Sequence, residues 1–139
     1  MFAPAVAFVD LETTGTAAAQ DRITEVGIVR VDDAPADALT LDDYLIERPS
    51  QTVLVRVKGD SMQDAGILDG DLAVVEKRTT ARRGDIVVAI VDNQFTLKRL
   101  DLERGRFILR PENKAYSVIR PEGALEIFGV MVGLVRKTN

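Results

Sequence analysis

Histidine and cysteine are both absent from this chain of 139 residues, and tryptophan is absent too. Without imidazole or thiol there is no Ser-His-Asp triad, Cys-His dyad, zinc finger, redox dithiol or disulfide. Catalysis, if present, falls to Ser, Thr, Tyr, Lys and carboxylates. Long apolar runs are also missing. None approaches the roughly 18 to 20 residues of a membrane span, and the N-terminus lacks the basic start and cleavage pattern of a secretory signal. The expectation is a soluble, cytoplasmic protein that meets no membrane. Nor is there a large excess of either charge: 18 Lys and Arg stand against 22 Asp and Glu, a net of −4. That balance argues against bulk electrostatic binding to nucleic acid and leaves only a local basic patch open.

What is present is apolar and β-forming. A hydrophobic fraction of 46% supplies the core of one ordinary domain with a short appendage. Residues 1–40 carry two basic and seven acidic groups, whereas residues 41–139 carry 16 basic and 15 acidic ones. The small, acidic, proline-bearing run Asp32-Asp33-Ala34-Pro35-Ala36-Asp37-Ala38 between them has linker composition. The division predicted is therefore an N-terminal arm and linker over 1–39 and a main domain over 40–139. In the arm, residues 5–11 and 23–31 have strand character and could pair as a hairpin. In the main domain, residues 41–47 suit either type of element, and strands are predicted over 53–58, 71–76, 85–91, 95–100, 106–110 and 125–135. Turn chemistry such as Asp69-Gly70, Asp92-Asn93 and Arg104-Gly105 separates them. The fold class predicted is mainly β, a compact barrel-like body, with one short helix beginning near Ser61.

Without imidazole, a nucleophilic serine needs another base, and the usual substitute is a lysine stripped of water. Lowering a lysine pKa by ~3 units costs roughly 4 kcal/mol, so real burial is required. Alternation in Phe95-Thr96-Leu97-Lys98-Arg99-Leu100 puts Lys98 on the face of Thr96 and Leu100. A solvent-facing Lys-Arg pair at a strand end is the plain alternative. In Lys58-Gly59-Asp60-Ser61-Met62, a glycine turn delivers Ser61 to a helix start, where its N–H and that of Met62 would face outward toward an oxyanion. The plain alternative is that Asp60 or Ser61 merely caps that helix.

The segments gain weight in combination. Val55-Arg56-Val57-Lys58-Gly59-Asp60-Ser61-Met62, Asp64-Ala65-Gly66-Ile67, Asp69-Gly70-Asp71, Gly84-Asp85-Ile86-Val87, Phe95-Thr96-Leu97-Lys98-Arg99-Leu100, Pro111, Asn113, Tyr116 and Phe128-Gly129-Val130 follow in order. In this series the chain over about 40–139 resembles the self-cleaving LexA/UmuD proteins. The resemblance implies a β-rich fold whose serine-lysine dyad hydrolyses one bond of the protein's own arm. Ser61 would be the nucleophile, Lys98 the base, and Met62 with residues 55–57 would shape the cleft. It further implies a homodimer, cleavage promoted by a RecA–single-stranded DNA filament in the response to DNA damage, and, after trimming, service to a UmuC-like translesion DNA polymerase subunit. No cofactor is implied. The absence of a helix-turn-helix before the catalytic region favours the UmuD side of the family over a LexA-type repressor.

The arm departs from that pattern. The family's usual Ala-Gly or Cys-Gly bond does not occur before Ser61, and Val26-Gly27 is the remaining candidate at a suitable reach. Its ordinary reading is a strand glycine. Ala7-Phe8-Val9-Asp10-Leu11-Glu12-Thr13-Thr14-Gly15 also resembles the opening motif of DEDD proofreading exonucleases, in which Asp10 and Glu12 would hold metal. With no histidine and little further chain, a residual or fused hairpin is the better account. Asp60, Asp64, Asp69, Asp71 and Asp85 fit turns and caps better than a metal, and Arg78, Arg82 and Arg83 fit a solvated loop better than a partner contact. The apolar stretch 127–135 suits either a core strand or a dimer strand. Three function classes follow: a self-cleaving peptidase, a non-cleaving dimeric binding module of the same fold, and a nuclease fragment.

Overall fold

The computed structural model describes Val6–Glu12, Ile23–Val26 and residues 40–139. Eight strands form one sheet: β1 (Val6–Glu12), β2 (Ile23–Val26), β3 (Thr52–Lys58), β4 (Leu72–Lys77), β5 (Ile86–Val91), β6 (Gln94–Glu103), β7 (Arg106–Arg110) and β8 (Glu126–Val135). Their order is β2-β1-β3-β4-β8-β5-β6-β7, and the ladder does not close into a ring. The mainly β class is as the sequence predicts, with boundaries within a few residues of those expected. Residues 41–47, left open between types, resolve into the short helix α1 (Leu41–Leu45), whose first turn is capped by the Thr40 hydroxyl accepting from Asp43 N at 3.2 Å. No helix among the described residues is long and apolar enough to cross a membrane.

The strands pair antiparallel except β1 and β3, which run parallel with Ala7 beside Val53 and Glu12 beside Lys58. The hairpin expected in the arm is present as β1 against β2, with Val6 opposite Val26. Tight hairpins join β5 to β6 and β6 to β7. Asp92 and Asn93 take φ of 51° and 64°, and Arg104 and Gly105 take 52° and 77°, the left-handed conformation that two-residue hairpin loops need.

Strand β8 is the seam of the sheet. Residues 129–135 pair with β4 and residues 126–130 with β5, so the chain passes from one half of the sheet to the other near Gly129. A side chain there would meet Glu76 O and a Val75 methyl at 2.7 Å, which is why the crossing needs glycine. The core reading of 127–135 therefore holds where β8 passes between its two neighbours. One core cluster crosses the seam, with Val53, Val55, Val57, Ala73 and Val75 packing with Met62, Ile67, Val88 and Leu97; in a second, Val87, Ala89, Leu100, Leu109 and Val130 pack together. Consecutive residues Val87, Val88 and Ala89 are all buried, as an uninterrupted apolar run predicts for a strand covered on both faces.

Candidate functional site

Ser61 follows directly from the end of β3. Lys58 closes the strand, Gly59 turns the chain at φ +88°, and Gly59 N donates to Asp69 Oδ1 at 2.7 Å. A left-handed residue is needed there, so glycine is the residue that fits. The helix predicted at Ser61 does not form. Only a single 3₁₀ turn, Gln63–Ala65, follows, and its cap position is Met62 with no side-chain cap. Asp60 and Ser61 are thus not helix caps, and no helix dipole stands behind Ser61. The reason is Gly66, which adopts φ +80° three residues after the turn begins and ends it.

Ser61 is completely buried, and Met62 is 1% exposed. Lys98 lies in β6 opposite Val87 and is 2% exposed, so the solvent-facing Lys-Arg alternative is wrong. It fails because β6 is an interior strand, flanked by β5 and β7, and is covered on both faces there, so that Thr96, Leu97 and Lys98 are all buried. Lys98 Nζ donates to Thr96 Oγ1 at 2.7 Å. Burial disfavours its ammonium and lowers its pKa from 10.5 to about 8.

Two connections link the Ser61 turn to the Lys98 strand. Met62 and Leu97, the immediate chain neighbours of Ser61 and Lys98, pack in one core cluster. Glu112, two residues past the end of β7, forms the other. Its N–H donates to Ser61 O at 2.9 Å, its carbonyl accepts from Asp64 N at 2.8 Å, and its carboxylate accepts from Arg99 Nε at 2.6 Å. Sequence reading treats Pro111-Glu112-Asn113 as a turn only. Nothing local reveals that it grips a segment some fifty residues earlier.

The other charged residues have local tasks. Asp69 and Asp85 Oδ2 accept from the backbone of Gly59 and Arg82, and Asp60 Oδ1 accepts from Tyr116 Oη. Asp71 is the exception to simple turn duty: both its oxygens accept from Arg136, which also donates to Gly66 O at 2.7 Å. Arg78 pairs with the buried Glu76 and Arg83 with Asp101. Among the described residues no three His, Cys, Asp or Glu side chains gather as a metal-binding group.

In the arm, Asp10 and Glu12 stand in register beside Arg56 and Lys58 of β3. Val26 stands at the other end of that pairing, next to Val6 and near the level of Val53; Gly27 lies outside the described residues. Five residues of strand, about 16 Å, separate Val53 from Lys58 and the turn that follows.

Comparison with known proteins adds an independent finding. The sequence model of the family described as Peptidase S24-like matches residues 17–132. The chain is 45% identical over 107 residues to Protein SamA of Salmonella typhimurium strain LT2, covering 77% of this chain and 75% of that one. It is 47% identical over 108 residues to a LexA repressor of Opitutus terrae, covering 76% of this chain and 54% of the repressor. With a LexA repressor of Alcanivorax borkumensis the identity is 49% over 94 residues, covering 67% and 45%. The chain spans about half the length of those repressors.

Proposed function

The chain belongs to the peptidase S24-like family, as a protein of the LexA/UmuD type, and from that premise we propose that it is a serine-lysine peptidase that cuts its own N-terminal arm. The observation that carries this reading is the burial of Lys98, with its pKa lowered to about 8. At pH 7 such an amine is neutral about one time in ten, whereas an ordinary lysine is neutral only about three times in ten thousand. Lys98 takes the Ser61 proton as Oγ adds to the scissile carbonyl carbon. It returns a proton to the leaving amine as the C–N bond breaks, and water then releases the acyl group from Ser61. Met62 N–H and Ser61 N–H are the candidate donors to the oxyanion.

Val26-Gly27 is the proposed bond. Val26 ends β2, at the far end of β3 from Ser61, so cutting requires β2 to leave β1 and the arm to enter the cleft beside residues 55–57. A RecA–single-stranded DNA filament would promote cleavage by favouring that rearranged state, since a partner shifts an equilibrium only by preferring one of its states. A homodimer that serves a UmuC-like translesion polymerase subunit after trimming completes the reading.

Intact-mass measurement tests it. Wild type held at pH 10, or at neutral pH with RecA filaments, is expected to lose its first 26 residues, with a rate that climbs toward a plateau through a midpoint near pH 8. Ser61→Ala and Lys98→Ala are expected to stay whole. A wild type that stays whole under both conditions overturns the peptidase reading and leaves the non-cleaving dimeric module.

A further inference from the structure

The segment 111–116 is bonded to the Ser61 turn at three successive points, beyond what a connecting loop needs. Asn113 Nδ2 donates to Asp60 O at 2.9 Å, Glu112 N donates to Ser61 O at 2.9 Å, and Tyr116 Oη donates to Asp60 Oδ1 at 2.5 Å. Asn113 is itself fixed, because its Oδ1 accepts from Ala115 N at 2.9 Å and its carbonyl from Tyr116 N at 3.1 Å. The two carbonyls held are those of Asp60 and Ser61. A trans peptide is planar, with its C=O and N–H pointing in opposite directions. Holding the Asp60 carbonyl therefore aims the Ser61 N–H, and holding the Ser61 carbonyl aims the Met62 N–H. Behind Ser61 stands only one 3₁₀ turn, whose Gln63 N also donates to Asp60 O at 3.2 Å, and the loop adds the shorter bonds that fix both carbonyls.

We propose that Asn113 is a positioning residue that, together with the Glu112 main chain and the Tyr116 hydroxyl, aims the N–H groups of Ser61 and Met62 at the oxyanion of the reaction. This rests on the peptidase reading above for the identity of the oxyanion, though not for the orientation of the two N–H groups. Removing a well-aimed oxyanion donor costs about 10² to 10³ in rate. A donor that is still present but no longer held should cost less, about 10- to 100-fold.

The discriminating variant is Asn113→Asp. It keeps the size of the side chain and the acceptor that Ala115 N uses, and it removes the donor to Asp60 O. With Asn113→Ala and Tyr116→Phe beside it, self-cleavage is followed against pH, and N–H residual dipolar couplings of residues 61 and 62 are recorded at pH 6. The expected result for Asn113→Asp and Asn113→Ala is a plateau rate lowered about 10- to 100-fold, an unchanged midpoint and altered couplings at 61 and 62, with those of β5 preserved. Tyr116→Phe should lower the plateau less. A merely structural Asn113 would lower the melting temperature in both variants and leave the couplings at 61 and 62 as in wild type. Wild-type plateau rates, a midpoint that moves with the plateau, or unchanged couplings at 61 and 62 each overturn the proposal. A wild type that never cuts defeats the peptidase reading instead, and the couplings then still decide whether Asn113 aims the two amides.

Discussion

Two ionisable groups are buried to the same degree near the Ser61 turn and meet opposite fates. Asp71 and Lys98 are each 2% exposed. Asp71 receives Arg136 at both oxygens, at 2.7 and 2.6 Å, and Leu68 N at 2.7 Å. Lys98 donates to the neutral Thr96 hydroxyl at 2.7 Å. Both pKa values fall. For Asp71 the hydrogen bond from Arg136 is the main cause and keeps the carboxylate charged. For Lys98 desolvation is the cause, and it drives the amine toward neutrality. Burial alone thus decides nothing. Where an opposite charge governs the shift, the group is a structural clip, here tying β8 to the end of the Ser61 turn through Gly66 O; where desolvation governs it, the neutral amine that a base requires is favoured.

The sharpest way to break this contrast is to remove the lysine charge. A downward move from 10.5 to about 8 corresponds to roughly 3 kcal/mol of strain while the amine is protonated in the folded protein. In a Ser61→Ala background, to prevent cutting, Lys98→Met should raise stability at pH 7 by about 2 to 3 kcal/mol, after the lost bond to Thr96 is allowed for. The strain is fully present below pH 8, where both folded and unfolded chains hold the proton. It is relieved as pH rises from about 8 to 10.5, where the unfolded chain binds more protons. The advantage of Lys98→Met in urea unfolding should shrink over that window. Equal stability of the two proteins at pH 7 would show that Lys98 is not strained.

Asp71→Asn tests the other side and should have the opposite sign. It leaves Leu68 N an acceptor and takes from Arg136 its charged partner, at a cost of about 1 to 2 kcal/mol. Because the folded pKa is lowered, this stability is present above the unfolded value near pH 4 and is lost as pH falls through the folded value. The gap between wild type and Asp71→Asn should hold constant from pH 5 to 7 and close in acid. A gap that persists unchanged at pH 2 would mean that packing, and not charge, holds the clip.

The contrast also marks what the sequence could disclose. Lys98 was legible through the ordered likeness to LexA/UmuD proteins, since the strand pattern alone equally suits a solvent-facing Lys-Arg pair. Ser61 was legible through the same likeness, and the helix expected behind it is only one 3₁₀ turn, since Gly66 stops it. The strands were legible from β-branched runs and from turn pairs such as Asp92-Asn93, whose positive φ values local chemistry permits. The parallel pairing of β1 with β3 was not legible, because register between distant strands leaves no local trace. Likewise Arg136 reaches Asp71 across 65 positions and Tyr116 reaches Asp60 across 56, so both bonds depend on tertiary placement. Asp71 had the look of a turn residue, and Arg136 carried no signal of its own.

Thr96 provides the finest measure of how far neutral dipoles stabilise the buried amine. Its hydroxyl accepts from Lys98 Nζ, so it favours the protonated form even as desolvation opposes it. Thr96→Val preserves shape and removes the acceptor. The ammonium then loses about 1 kcal/mol of support, and the midpoint of the self-cleavage profile should move about half to one unit below the wild-type value. Thr96→Ser should restore it. If the midpoint stays in place while the plateau falls, the hydroxyl aims the amine without tuning it. An upward movement would mean that the valine lets water reach Lys98, in which case the tightness of the packing, more than the Thr96 hydroxyl, sets the basicity of this lysine.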